Sequence, residues 1–227
     1  MSQRLAGVRA AVFDAYGTLF DVTSVANSCR DLVGAKADAL TALWREKQLQ
    51  YSWLRAVQGR HADFWQVTAD ALDFAVEKLG ISPALRERLM ALYLALAPFP
   101  EVADVLARVK AAGLRTAVLS NGSPHMLRAI VVAAKLDGFL DMVLSVEEAG
   151  VYKPHPKVYQ LAVDRLGVPA EAIAFQSSNG WDAYAASAFG MKVVWCNRSG
   201  QPRERLPGAP DREVASLAEL PALLGIV

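Results

Sequence analysis

The chain has 227 residues, 53% hydrophobic and 21% charged, the balance of a folded globular protein and not of a disordered one. Its formal net charge of +1 gives no long-range field to gather nucleic acid or an anionic membrane, so neither is expected as a partner. Cys29 and Cys196 are too few for a disulfide framework or a thiolate metal site, and are expected as free thiols in a reducing compartment.

The length suits one core domain with a modest insertion. The opening MSQRLAGVRAAVFDAYG has no long apolar targeting segment, and no stretch is long and uncharged enough to span a bilayer, so a cytoplasmic location is expected. The first element is the apolar run Ala10–Phe13, which ends on Asp14. From about residue 20 to 97 the pattern turns helical. Leu40, Leu43, Trp44, Tyr51 and Leu54 recur near a 3.6 period and predict one apolar helix face. Further helices are expected over Phe64–Leu79 and Pro83–Leu96, the latter with Ser82 as N-cap. Pro98 and Pro100 then break the pattern.

Short apolar runs resume at Thr116–Leu119, Met142–Leu144, Ile173–Phe175 and Val193–Cys196, alternating with helical stretches. Near-continuous apolar character predicts strands covered on both faces, hence an α/β fold with a parallel sheet flanked by helices. The core is expected from residues 1–19 and 98–227, with 20–97 inserted as an all-helical cap and Ser199–Pro210 as a surface loop. Asp14, Ser120 and Ser177 each follow a strand closely, where residues of an open α/β sheet line the ligand crevice. Gly122 and Gly150 are read as loop positions needing unusual dihedrals.

The segment Asp14-Ala15-Tyr16-Gly17-Thr18 resembles the nucleophile loop of the haloacid dehalogenase superfamily. Leu119-Ser120-Asn121-Gly122, Tyr152-Lys153-Pro154 and Ser177-Ser178-Asn179-Gly180-Trp181-Asp182 follow later strands in the order of that superfamily's further motifs. The resemblance implies a Rossmann-like core. Its phosphatases carry a second Asp two places after the nucleophile and acids after the fourth strand to hold Mg²⁺. Here those places hold Tyr16 and the acid-poor Ser177–Asn179 run, with Asp182 the single acid there, which argues against a Mg²⁺ cage and against phosphoryl transfer. No metal and no cofactor is expected.

One carboxylate facing a lysine suits displacement at carbon. Lys153 would keep Asp14 ionised. The ester formed on Asp14 must then be hydrolysed, with Asp182 as base and Ser177 and Asn179 orienting water.

Asp14–Val22, Leu43-Trp44-Arg45, Lys47-Gln48-Leu49, Tyr51, Trp53-Leu54-Arg55 and Leu119–Pro124 extend the likeness to the (S)-2-haloacid dehalogenases, over nearly the whole chain. That resemblance implies Asp14 as nucleophile with Thr18 hydrogen-bonded to it, and Arg45 receiving the halide beside Asn121 and Trp181. It implies Ser120, with the amides near Ala15 and Tyr16, as the carboxylate site. Lys153 and Tyr159 would order the nucleophile, and Leu49, Phe64 and Trp181 would wall the alkyl group. The expected reaction takes a 2-halo acid to a (R)-2-hydroxy acid and halide, in a homodimer. Two other readings are a Mg²⁺-dependent phosphatase of the same superfamily, and a non-catalytic dimeric protein using Trp44 and Trp53 as its surface. Glu46 departs from the usual neutral neighbour of the arginine and is expected to face solvent or a cation. His61, His125 and His155 lack metal-ligand spacing and receive no role.

Overall fold

The structure is a computed structural model that describes residues 4–226; the ends of the expected core, residues 1–3 and 227, lie outside them. The first strand, β1 (Ala10–Phe13), is wholly buried. Four helices follow: α1 (Thr23–Val33), α2 (Ala37–Gln58), α3 (Phe64–Leu79) and α4 (Arg86–Leu92). The chain then alternates through α5 (Val102–Ala111), β2 (Arg115–Ser120), α6 (Pro124–Ala133), β3 (Met142–Ser145), α7 (Pro156–Leu166), β4 (Ile173–Ser177), α8 (Gly180–Phe189) and β5 (Lys192–Cys196). It closes with β6 (Arg212–Val214) and α9 (Leu220–Leu223).

The six strands form one parallel sheet in the order β3-β2-β1-β4-β5-β6. β1 lies at its centre, with Ala10 in register with Arg115 on one side and Ile173 on the other. The chain leaves one half of the sheet for the other across β1, so the carboxyl ends of β1, β2 and β4 flank the switch-point crevice. Asp14, Ser120 and Ser177 are carried there together.

Residues 20–97 are joined to the sheet through a narrow neck. Phe99 N donates to Leu19 O at 3.0 Å, Asp21 N donates to Ala97 O at 2.8 Å, and Phe20 bridges Pro98 antiparallel. Beyond the neck, α2 and α3 pack together around buried Trp44, whose indole N–H donates to Thr68 O at 2.8 Å. Asp63 caps α3 by accepting from Trp65 N and Gln66 N, as an aspartate ahead of an apolar run should. Gly59 and Gly80 end α2 and α3 in the left-handed conformation.

Several expectations are corrected. Leu54 is 49% exposed, and Gln48 and Ser52 are buried on α2 instead; Gln48 is satisfied there by donating to Thr68 Oγ1 at 2.8 Å. The helix expected over Pro83–Leu96 is a 3-10 turn at Pro83–Leu85 followed by α4, which stops at Leu92. After it Tyr93, Leu94 and Ala95 donate to carbonyls three residues back, the tighter bonding common at helix ends. The Ser82 side chain makes no cap bond. β6 was not anticipated, since its three residues are too few to show alternation. Gly150 has the expected positive φ, +64°, whereas Gly122 does not. Gly122 is required for space instead: a Cβ there would lie 2.7 Å from the Tyr16 hydroxyl. Trp44 belongs to the core and cannot offer a dimer surface, while Trp53 is 36% exposed. Cys29 and Cys196 are separate buried thiols.

Candidate active site

Asp14 continues the edge of β1, its amide donating to Gln176 O at 2.9 Å. The loop then curls on Ala15 O, which accepts from Leu19 N and Phe20 N, both at 3.0 Å. Gly17 permits this turn with a φ of +84°. The turn returns Thr18 to the nucleophile, where its hydroxyl donates to Asp14 Oδ2 at 3.2 Å and accepts from Ser178 N at 2.8 Å.

After β4 the chain forms a tight loop in which Ser177 Oγ accepts from Asn179 N at 3.2 Å. Asn179 occupies the N-cap of α8, yet its side chain makes no cap bond. Its amide turns to the nucleophile, donating to Asp14 Oδ2 at 2.8 Å and to Tyr16 O at 3.2 Å. Arg45 fixes that orientation from α2, its Nη2 donating to Asn179 Oδ1 at 3.3 Å and its Nη1 to Gln48 Oε1 at 3.0 Å.

Lys153 follows β3 and is 1% exposed. Its ammonium bridges two carboxylates, at 3.1 Å from Asp14 Oδ1 and 2.8 Å from Asp182 Oδ2. Burial opposes its charge, but Asp14 and Asp182 outweigh burial and raise its pKa above the ordinary lysine value. Asp182, in the first turn of α8, also accepts from the Tyr159 hydroxyl at 2.7 Å, so its side chain serves the lysine and not the helix end. Burial lifts the Asp182 pKa above the ordinary aspartate value, against the pull of Lys153, and the charge of Asp14 adds to the rise. Burial likewise pushes Tyr159 and Tyr16 up, leaving both phenols neutral.

These groups surround a narrow pocket between the sheet and the inserted helices. Asp14, Tyr16, Ser120, Asn121, Lys153 and Asn179 line its sheet side. Arg45, Leu49, Phe64 and Trp181 complete the enclosure. Ala15, Thr18, Tyr159, Ser177 and Asp182 lie behind this surface; of these, Thr18 touches Asp14 directly and Asp182 reaches it through Lys153. Asn121 Oδ1 accepts from Lys153 N at 3.1 Å, tying the β2 and β3 loops together. Glu46 is exposed and outside the pocket lining.

Sequence reasoning missed three contributors. Gln48 steadies Arg45, and its place one helical turn along was the available signal. Glu147, just after β3, accepts from Phe64 N at 3.0 Å and pairs with His61 Nε2 at 2.7 Å, so the pocket wall is fastened from the sheet side. Tyr152 adds a hydrogen bond to Ala62 O. His61, to which no role was given, thus joins the insertion to the core; His155 caps α7, and His125 packs edge-on to Trp65.

A cation bridging Asp14 Oδ2 and Tyr16 O would have to occupy the place of the Asn179 amide, which already donates to both. Among the described residues, no group of three or more His, Cys, Asp or Glu side chains is placed to hold a metal. The residues present do not fit a divalent-ion site. No helix among them is long and apolar enough to cross a membrane.

A buried aspartate at the end of the central strand, a lysine after β3 and a helical insertion above them define a hydrolase of the haloacid dehalogenase type. A family model described as haloacid dehalogenase-like hydrolase matches residues 8–190. The (S)-2-haloacid dehalogenase 1 of Pseudomonas sp. (strain CBS-3) is 47% identical, covering 96% of each chain. The (S)-2-haloacid dehalogenase 4A of Burkholderia cepacia is 46% identical over 96% of this chain and 95% of its own. A solved structure of the L-2-haloacid dehalogenase from Xanthobacter autotrophicus, with chloropropionic acid covalently bound, superposes with a TM-score of 0.91 at 39% identity, covering 96% of this chain and 98% of that one. The chain belongs to the haloacid dehalogenase-like hydrolases and, within them, to the (S)-2-haloacid dehalogenases.

Proposed function

We propose that the protein hydrolyses (S)-2-haloalkanoic acids to (R)-2-hydroxyalkanoic acids and halide. The observation that carries this reading is a buried Asp14 carboxylate held by three donors, Lys153, Thr18 and Asn179, with no second acid in the pocket lining.

A carboxylate oxygen of Asp14 attacks C2 from the face opposite the halogen. The C–halogen bond breaks with its electron pair, the halide departs toward Arg45, Asn121 and Trp181, and C2 inverts. Ser120, with the backbone amides of Ala15 and Tyr16, receives the substrate carboxylate, and Leu49 and Phe64 wall the alkyl group. Water then adds to the Asp14 carbonyl carbon and gives one proton to the Asp182 carboxylate; the bond from that carbon to the substrate oxygen breaks, the oxygen takes the water's second proton, and the hydroxy acid leaves with Asp14 again a carboxylate and the proton on Asp182 passing to solvent. Tyr159 and Lys153 hold Asp182 in place for that step; Ser177 shapes the loop that presents Asn179. The protein acts in the cytoplasm as a homodimer, with a second copy covering exposed Trp53, Leu54 and Val57 of α2, which analytical ultracentrifugation would test.

Incubation with (S)-2-chloropropionate in EDTA is expected to release chloride and (R)-lactate, and Asp14→Asn to release none. Absence of halide from chloro- and bromo-acids alike would overturn the reading. Phosphatase activity is disfavoured by Tyr16 and by the Asn179 amide, and p-nitrophenyl phosphate with Mg²⁺ is expected to remain intact.

A further inference from the structure

We propose that Arg198, in the loop after β5, is a positioning residue for the nucleophile, acting through Thr18; this rests on the dehalogenase reading above. Its Nη2 donates to Thr18 O at 2.9 Å, and the Thr18 hydroxyl is one of the donors on Asp14. The same guanidinium stacks 3.6 Å from the ring centre of Phe99, the residue that pairs with Leu19 across the neck. One planar cation therefore touches one strand of the neck and the nucleophile loop. Such a fork has no equivalent in a single ammonium.

Arg198 is itself held. Its Nη1 lies 2.7 Å from Glu101 Oε1, and both side chains are 17% exposed. Ser216 Oγ donates to the same carboxylate oxygen at 3.1 Å. Burial works against the charge of Glu101, yet its own backbone amide, Arg198 and Ser216 keep its carboxyl below the ordinary glutamate value. A line of contacts thus runs from Ser216 through Glu101 and Arg198 to Thr18 and Asp14. A nucleophile displaced by about 1 Å loses on the order of a hundredfold in rate, so loosening this line should register in turnover and not in substrate affinity.

Arg198→Gln and Arg198→Lys are to be compared with wild type on (S)-2-chloropropionate, with active sites counted by the ester trapped in Asp182→Asn backgrounds and melting temperatures recorded. Both variants are expected to lose about tenfold or more in kcat per counted site, with KM within about threefold. In a Thr18→Val background, Arg198→Lys is expected to add little, because the two act on one line. If kcat per counted site stays within about twofold while only the melting temperature falls, Arg198 is a structural brace and the proposal fails. It also fails if the losses from Thr18→Val and Arg198→Lys simply multiply. If Arg198→Gln does not fold, Arg198→Lys and Glu101→Gln decide the matter by the same measures. Absence of halide release from wild type itself would overturn the dehalogenase reading, a separate outcome from either of these.

Discussion

The side-chain nitrogen of Asn179 lies 2.8 Å from Oδ2 of Asp14, so a neutral amide shares the nucleophile's charge with Thr18 and Lys153. An amide weakens a carboxylate's nucleophilicity less than a divalent ion and leaves it poised for attack on carbon. Replacing it with a second carboxylate reverses the effect. Asn179→Asp would set two negative charges within hydrogen-bond distance, worth about 6 kcal/mol at an effective dielectric of ~20. Halide release at neutral pH is expected to fall at least about a hundredfold, and by less in Asn179→Ala.

Lys153 is shared between Asp14 and Asp182 in a buried site. Lys153→Met would strand two carboxylates, a loss of about 3–5 kcal/mol where a buried partner is removed. The deficit should shrink as pH falls, because protonating one carboxyl relieves the repulsion. In the wild type the sign is the same but the window is alkaline. The lysine's folded pKa lies above its unfolded value, so its stabilisation is complete below the ordinary lysine range and is lost as pH rises through the raised value. Thermal melts across pH on both proteins check this.

Asp182→Asn is expected to release about one equivalent of halide per site and then stop, with the mass of the substrate's carboxyalkyl group retained on the peptide containing Asp14. Amide cannot take the proton that ester hydrolysis delivers. Continued turnover would remove Asp182 from the base role.

The acid limb of the reaction follows from the raised Asp182 carboxyl. In free enzyme it takes up a proton at higher pH than an ordinary aspartate, so activity falls as pH drops through that raised value. Esterifying Asp14 removes the neighbouring charge that helps raise it. The acid limb for breakdown of the ester, followed by single-turnover kinetics, should therefore lie at lower pH than the protonation of Asp182 in free enzyme, followed by NMR titration of its carboxyl.

Trp44→Ala would open a cavity between α2 and α3 and remove the indole donor from Thr68 O. For a fully buried indole the cost is about 3–5 kcal/mol, measurable as a shift in urea midpoint. Trp44→Phe should lose much less.

The sheet was legible because its inner strands are continuous apolar runs, and β6 was not, because three residues carry no period. In the site, Asp14, Lys153 and Asp182 were readable from motifs that follow strands. Gln48, Glu147 and Arg198 were not, since nothing in a polar residue's own neighbourhood announces a partner that folding brings from far along the chain. Leu54 shows the converse error: an apolar residue at the expected period points outward, while Gln48 and Ser52 take the inner positions because their polar groups find partners there.

The Phe64 amide is held by Glu147, beneath the insertion, and Ala62 by Tyr152. Pocket width on that side is thereby dictated from the floor, not the roof. Exposed positions of α3 can therefore change, and solubility with them, while the width of the pocket on that side is kept.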